Sequence, residues 1–318
     1  MMSTNDRINL LYVASIGRSG TTLFESMLGA HPALATCGEV HLWPHEIRMG
    51  GVRPCGSGAY VQECPFWQEM DARVQPLDQP APQIDYFREQ HDGGRTLRWS
   101  RWRDFDPGPL SDAVRAQVEQ YGANNEVLFR HFRALVEAET GTRPEWVVDA
   151  SKDPYRLLWL LRSRRFRIKV VHMVKHPCGF AYSVTKPWVR NAAWQAHMPR
   201  LYYTARQSGA WVVQNHLFAR IAQHHLDPDD YLLMQYETLA AQPHTTFAEA
   251  CAMIGIPYVP EAVTDFRKGS QFTIAGNPMR YEERGIELDE RWKRDLPRSS
   301  QTLARTITTV NRHHFGYA

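Results

Sequence analysis

Short apolar runs alternate along the chain with stretches in which apolar positions recur at helical spacing. The apolar runs, which predict buried strands, cover residues 10–14, 146–149, 168–174 and 231–236. The helical patterns cover residues 21–28, 111–139 with a break near Gly122, 155–165, 177–183, 201–225, 245–254 and 301–313. Strands that alternate with helices predict an α/β fold, in which a central parallel sheet is flanked by helices on both faces.

One stretch, from Met49 to about Pro109, departs from this alternation. It holds seven of the 20 prolines and two Gly-Gly pairs, which indicates an irregular insertion rather than a core element. Within it, the segment from Arg95 to Arg103 interleaves arginines with Trp99 and Trp102. This segment is either a surface that binds an anion or an acceptor, or a solvated segment anchored by two tryptophans. We predict a single domain over residues 1–318 with an insertion at about 49–110.

The composition narrows the class of protein. Of the 318 residues, 43% are hydrophobic and 22% are charged, as is ordinary for a globular protein. A net charge of +3 is too small to indicate a nucleic-acid partner but suits a small anionic ligand. No apolar stretch reaches the length of a membrane span or of a signal-peptide core, so we expect a cytoplasmic protein.

The five cysteines are an odd and sparse set, which predicts free thiols rather than a disulfide framework. Cys55 and Cys64 are close enough in sequence to close a small cross-linked or metal-bound loop. No further ligands at zinc-site spacing accompany them, so we expect no metal.

The first predicted strand runs through a glycine-bearing loop into the first predicted helix. This arrangement points backbone N–H groups and the helix dipole at an anion. The nucleotide-binding loop of NTPases has a lysine after its last glycine, whereas here Gly20 is followed by Thr21 and the cation is Arg18 inside the loop. The alternative is an ordinary turn between a strand and a helix. Ligands of open α/β sheets bind beyond the carboxyl ends of the strands, where Lys152 and Lys175 also lie.

The order of these motifs resembles that of the PAPS-dependent sulfotransferases, in particular the branch of tyrosylprotein and related bacterial enzymes. The resemblance rests on GRSGTT at residues 17–22, HP at 31–32, CGE at 37–39, and a basic strand end with a serine eight positions later. In the last motif Lys175 stands in place of the usual arginine, and His176 in place of a common acidic residue. Lysine neutralises a phosphate but cannot make a planar bidentate contact, so we expect a retained site with altered geometry.

The resemblance implies a P-loop-like three-layer fold and transfer of a sulfuryl group from PAPS (3′-phosphoadenosine 5′-phosphosulfate) to a hydroxyl acceptor, leaving PAP. It implies that these residues bind the donor: Gly17, Arg18, Ser19, Gly20, Thr21, Thr22, Lys175, Ser183 and Arg280. Lys152 matches a lysine that stabilises the bridging oxygen. Glu39 matches the general base of the closest branch and is favoured over His41, the residue type used in other branches.

Two other readings remain open. A P-loop-like kinase or NTPase would need a lysine after Gly20 and a magnesium-binding aspartate at a strand end, for which Asp149 is the one candidate. A catalytically inactive nucleotide-binding module would not need Glu39 or Lys152. The acceptor, whether a small molecule, a glycan or a peptide, and the oligomeric state are not specified by these patterns.

Overall fold

A computed structural model describes residues 7–48, 50–74, 105–186, 198–268, 272–276, 278–281 and 285–318. Its centre is a five-stranded sheet with the strand order β2-β3-β1-β4-β5, in which all neighbouring strands are parallel. The strands are β1 (Ile8–Ser15), β2 (Leu34–Gly38), β3 (Trp146–Asp149), β4 (Phe166–Val174) and β5 (Tyr231–Gln235). The predicted α/β class with a central parallel sheet is confirmed.

The helices lie between and around the strands. They span Thr21–Gly29, Trp43–Arg48, Pro65–Val74, Asp112–Thr140, Pro154–Ser163, Pro177–Val184, Arg200–His225, Tyr236–Ala241, Pro243–Ile254, Glu261–Thr264, Trp292–Asp295, Arg298–Ile307 and Thr309–His314. Short 3₁₀ turns span Val40–Leu42, Val61–Glu63, Pro228–Asp230, Phe266–Lys268 and Pro278–Tyr281.

Three local expectations were wrong. Residues 34–38, which were not among the predicted strands, form strand β2, whose side chains are buried and whose backbone pairs with β3 at the edge of the sheet. The helix Asp112–Thr140 runs unbroken through Gly122, where a Cβ atom would overlap Ser163 of the neighbouring helix. The glycine therefore permits close helix packing and does not end the helix. The predicted C-terminal helix is two shorter helices that meet at Thr308.

Both faces of the sheet are covered by helices. Side chains of β1 alternate between the two sides, with Leu10 and Tyr12 in one apolar cluster and Leu11 and Val13 in the other. Because successive side chains of a strand point to opposite faces, a strand covered on both sides is apolar throughout. This explains the uninterrupted apolar runs of the sequence.

The predicted insertion at about 49–110 is not wholly irregular, since its described part contains a helix of the core. The helix Pro65–Val74 buries Trp67, Met70 and Val74 in the main apolar cluster, so it contributes to the core. The arginine–tryptophan segment at 95–103 lies outside the described residues. All five cysteines, including Cys55 and Cys64, are free, as predicted. Among the described helices, none has the length and apolar character needed to cross a membrane.

The strand order places a crevice between β1 and β4. The chain leaves β1 toward β2 on one side and leaves β4 toward β5 on the other. Neighbouring strands whose connections diverge in this way open a space beyond their carboxyl ends, which is where open α/β sheets bind ligands. The turns that follow β1, β3 and β4 meet there.

Candidate active site

The turn after β1 forms one wall of the crevice. Arg18 and Gly20 both have left-handed backbone conformations, with φ values of 76° and 89°, and the helix begins at Thr21. A Cβ atom at Gly20 would overlap the ring of Tyr236, so only glycine fits this turn without displacing that ring. A helix start presents backbone N–H groups and the positive end of the helix dipole, an arrangement that favours a bound anion.

A carboxylate and an ammonium group from two neighbouring strand ends, those of β2 and β3, meet on one side of the crevice. Nζ of Lys152 lies 2.8 Å from Oε1 of Glu39. Glu39 directly follows Gly38, where the backbone of Ile274 passes so close that a Cβ atom would clash, and its N–H donates to the carbonyl of Ile274 at 3.0 Å. The chain segment around Ile274 therefore holds Glu39 in place.

The turn that carries Lys152 is fixed by several hydrogen bonds. The Tyr12 hydroxyl bonds to the backbone N–H and C=O of Asp153, and the Asp153 carboxylate caps the helix Pro154–Ser163 by accepting from the N–H of Tyr155 at 2.8 Å. Gln214 donates to the carbonyl oxygens of both Ser15 and Lys152. The turns after β1 and β3 are thus tied to the same helix.

Glu39 and Lys152 each stabilise the ionised form of the other. Burial alone would raise the pKa of Glu39, but the field of Lys152 and its hydrogen bond, with smaller contributions from His41 and Arg53, hold that pKa below its ordinary value. Burial opposes the charge of Lys152, but Glu39 and then Glu25 raise the pKa of the ammonium group. At neutral pH the pair is therefore ionised.

Lys175 and Ser183 lie on the other side of the crevice. Lys175 directly follows β4 and is 7% exposed, with its Nζ 4.1 Å from the ring centroid of Tyr236. Burial lowers the pKa of Lys175 to about 8. Nε of Arg18 donates to Oγ of Ser183 at 3.3 Å, so the first wall contacts the second.

His176, which stands where an acidic residue is common, caps the helix Pro177–Val184. Its Nδ1 accepts from the N–H of Cys178 at 3.1 Å, the bond that an aspartate would make at this position. The ring stacks on Trp292 with centroids 4.6 Å apart. Burial lowers the pKa of His176 to about 4, which keeps the imidazole neutral and able to accept.

These groups surround a cavity of about 680 Å³. Of the predicted site residues, it is lined by Gly17, Arg18, Gly20, Thr21, Thr22, Glu39, Lys152, Lys175 and Ser183. Sequence reasoning missed three further cations on its wall, which are Lys186, Arg267 and Arg291. Lys186 comes three residues after Ser183, outside the motif that was used to choose site residues. Arg267 is followed by Lys268, and this pair of adjacent cations was the sequence feature that could have indicated it. Asp289, also on the wall, pairs with Arg291 at 2.7 Å and with Lys186 at 3.7 Å.

Three predicted site residues are not among the described residues of the cavity wall. Ser19 is fully buried, and its Oγ has no hydrogen-bond partner. His41 binds Ser151 Oγ through its backbone N–H at 3.3 Å, and burial lowers the pKa of its ring. Arg280 is buried above Gly276 and donates a short hydrogen bond to the Thr273 hydroxyl. Within the described ranges, no cluster of three or more side chains could hold a metal ion.

The parallel sheet, the glycine-bearing anion loop and the cationic crevice define an α/β enzyme of the sulfotransferase type. The family model described as "Sulfotransferase family" matches residues 11–260. The chain therefore belongs to the sulfotransferase family and is a sulfotransferase, an enzyme class whose norm is the donor PAPS.

Solved structures share this fold at low sequence identity. The sulfotransferase domain of the Synechococcus PCC 7002 olefin synthase has a TM-score of 0.53 and 21% identity, covering 95% of this chain and 96% of that one. The sulfotransferase domain of the curacin biosynthetic pathway has a TM-score of 0.59 and 17% identity, with 98% of both chains covered. Sulfotransferase STF9 from Mycobacterium avium has a TM-score of 0.56 and 12% identity, covering 98% of this chain and 78% of that one. A comparison with curated proteins found no match.

Proposed function

We propose that this enzyme transfers the sulfuryl group of PAPS to a hydroxyl group of an acceptor by in-line displacement. The observation that carries the proposal is the distribution of cations in the cavity. Arg18 stands at the anion loop, while Lys175, Lys186 and Arg267 supply charge elsewhere on the wall. A donor with phosphates at both ends of its ribose needs positive charge in two places, and these residues fit that need.

The residues divide into two groups by their part in binding. Arg18, the N–H groups at the start of the first helix and the hydroxyls of Thr21 and Thr22 would hold the 5′-phosphosulfate. Lys175 and Ser183 would hold the 3′-phosphate. Lys175 would act as a point charge, since an ammonium group cannot bind a phosphate in the planar fork of an arginine.

The chemistry assigned to the chain is positioning, charge stabilisation and one proton transfer. PAPS supplies an activated sulfuryl group and a phosphate leaving group. We expect little covalent work from the protein, by analogy with phosphoryl transfer. Lys152 would stabilise the negative charge that develops on the leaving oxygen. Glu39 would act as the general base and accept the proton of the acceptor hydroxyl.

Glu39 is better supported than His41 as the general base. The Glu39 carboxylate lines the cavity and is ionised, whereas the His41 ring lies outside the described cavity wall. A general base must first be within reach of the proton that it removes, and its pKa matters only after that. The acceptor is proposed as a small molecule or a hydroxyl group of a glycan or peptide.

The kinase alternative is weakened by the surroundings of Asp149. Its carboxylate is fully buried and pairs with the guanidinium of Arg156 at 2.7 Å, so it is already committed to an internal ion pair. A P-loop kinase would need this carboxylate for magnesium and a lysine after Gly20 for the phosphates.

A thermal-shift measurement tests the proposed donor against the nucleotide of the kinase alternative. We expect PAP to raise the Tm without metal, because a ligand that binds only the folded state stabilises it, by about 2.7 kcal/mol at 100 times its Kd. ATP with magnesium serves as the matched nucleotide control and should produce a smaller shift. Selective stabilisation by ATP with magnesium would favour a kinase or NTPase, and stabilisation by neither ligand would refute nucleotide binding.

A further inference from the structure

One acidic side chain near the cavity has no part in the proposed reaction. Glu25 lies one turn along the first helix from Thr21, which is about 6 Å along a helix axis. Its side chain is 2% exposed, and neither carboxylate oxygen has a hydrogen-bond partner. Because nearly all buried polar groups of folded proteins are hydrogen-bonded, a buried carboxyl group without a partner requires a physical explanation.

The charges around Glu25 come from other segments of the chain. Lys152 and Arg280 favour its ionised form, while Glu39 and Asp149 disfavour it. The segments that pack on this helix also carry the charged side chains of Glu261, Arg267 and Lys268. Burial, the largest effect, raises the pKa of Glu25 to about 7. The carboxyl group therefore exchanges its proton in the neutral range.

Glu25 and the proposed donor compete for the same cation. Lys152 lines the cavity and bonds to Glu39, and the negative charge of Glu25 also raises the pKa of this ammonium group. An anion bound beside Thr21 and Lys152 repels a carboxylate that lies one turn deeper in the same helix. Neutralising that carboxylate with a proton removes the repulsion.

We propose that Glu25 is a positioning residue that supplies internal counter-charge to Lys152 and Arg280 in the donor-free enzyme, and that it takes up a proton when a bisphosphate nucleotide binds. The inference rests on the proposed function, because the nucleotide is the anion that drives the uptake. The proton comes from solvent and converts the carboxylate to a neutral carboxylic acid, with no other bond changed. The charge of Lys152 is then directed to the bound anion.

Isothermal titration with PAP tests the inference without knowledge of the acceptor. Titrations at pH 7 in two buffers with different ionisation enthalpies give the number of protons taken up per PAP. A group with a pKa near 7 is about half protonated there, so we expect Glu25 to contribute up to about half a proton. Glu25→Gln should lose this contribution, and Glu25→Asp should keep most of it.

Two controls separate Glu25 from other titrating groups. Glu126→Gln replaces a carboxyl group away from the cavity whose pKa, despite partial burial, is lowered by hydrogen bonds from Arg130 and Arg165, so uptake should not change. Lys175 also takes up protons, but mainly near pH 8, where its own pKa lies. The difference between the native enzyme and Glu25→Gln should be near zero at pH 5, where Glu25 is protonated with or without PAP, and should rise through pH 7, because a group takes up protons mainly between its free and its bound pKa.

Equal proton uptake by the native enzyme and Glu25→Gln would overturn the inference. If that variant does not fold, infrared difference spectra of the native enzyme replace it, and the C=O band of a carboxylic acid should grow when PAP binds. No growth of that band would also overturn the inference. Failure of PAP to bind the native enzyme at all would instead refute the proposed function.

Discussion

The two parts of the candidate site are built in different ways. The anion loop, Gly17 to Thr22, consists of six consecutive residues whose geometry depends on two left-handed backbone positions and the start of one helix. The other part, which we call the assembled groups, consists of Glu39, Lys152, Lys175 and Ser183, and these come from the three separated segments that follow β2, β3 and β4. A hydrogen bond from Nε of Arg18 to Oγ of Ser183 joins the two parts.

This difference determines how each part responds to its surroundings. The loop offers neutral N–H groups, hydroxyls and a guanidinium, none of which loses a proton in the ordinary pH range. Apart from the Ser183 hydroxyl, the assembled groups are ammonium and carboxylate side chains that the fold has wholly or partly buried. Burial lowers the pKa of Lys175, whereas Lys152 keeps its charge because Glu39 lies beside it. The loop is therefore sensitive to backbone changes, and the assembled groups are sensitive to charge and pH.

The largest effect is expected from Glu39→Gln, which tests whether an assembled group performs the chemistry. Once a screen with labelled PAPS has found an acceptor, we expect kcat to fall about 10²- to 10⁴-fold, the usual contribution of a general base. The amide can still accept from Lys152, so PAP affinity should change less than about threefold. A near-normal kcat would contradict the assignment and direct attention to His41.

A smaller effect is expected from Gly20→Ala, which tests the backbone geometry of the loop. The alanine must adopt a left-handed backbone conformation, and its Cβ atom must displace the ring of Tyr236. These two costs together amount to about 2–4 kcal/mol of unfolding free energy, visible as a Tm lower by about 5 °C.

Gly17→Ala is the matched control, because a Cβ atom at Gly17 would meet no protein atom within 4 Å. Its Tm without ligand should stay within about 1 °C of the native value, as for other surface substitutions. Equal losses of Tm in the two variants would show that the close contact with Tyr236 is not what requires Gly20.

The smallest effect is expected from Lys175→Arg and appears in the pH dependence of PAP binding. Free Lys175, with a pKa of about 8, loses its proton as the pH rises, so Lys175 alone should lower PAP affinity about tenfold between pH 7 and pH 9, in addition to the decline that Glu25 causes. An arginine stays charged, so the variant should lose that part of the decline.

Titrations of PAP across this pH range measure the effect. Lys169→Arg is the control on the same strand, since its ammonium group pairs with Asp230 at 2.8 Å and lies outside the described cavity wall. It should retain the native decline. A decline that persists unchanged in Lys175→Arg would mean that another group controls the pH dependence.

The anion loop was easier to predict from the sequence than the arrangement of the assembled groups. The loop is encoded by neighbouring residues, so the strand–loop–helix arrangement at Gly17 to Thr22 could be predicted from their order, whereas anion binding there stays a prediction. The positions of Lys152 and Lys175 followed from the rule that parallel strands end at one edge of a sheet. The sequence did not reveal β2 or the core helix Pro65–Val74, because a short run beside a proline-rich stretch has little periodicity of its own.

The alternation of strands and helices, the loop between the first strand and the first helix, and the family could all be recognised from the amino-acid order, because these features depend on residues close together in the chain. Which charges meet depends on how distant segments pack. The tertiary structure paired Glu39 with Lys152, placed Lys186 and Arg267 on the cavity wall and turned Arg280 toward Thr273. It also buried Glu25 without a hydrogen-bond partner. Burial and distance set the energy of a charge, and both exist only once distant segments have packed together.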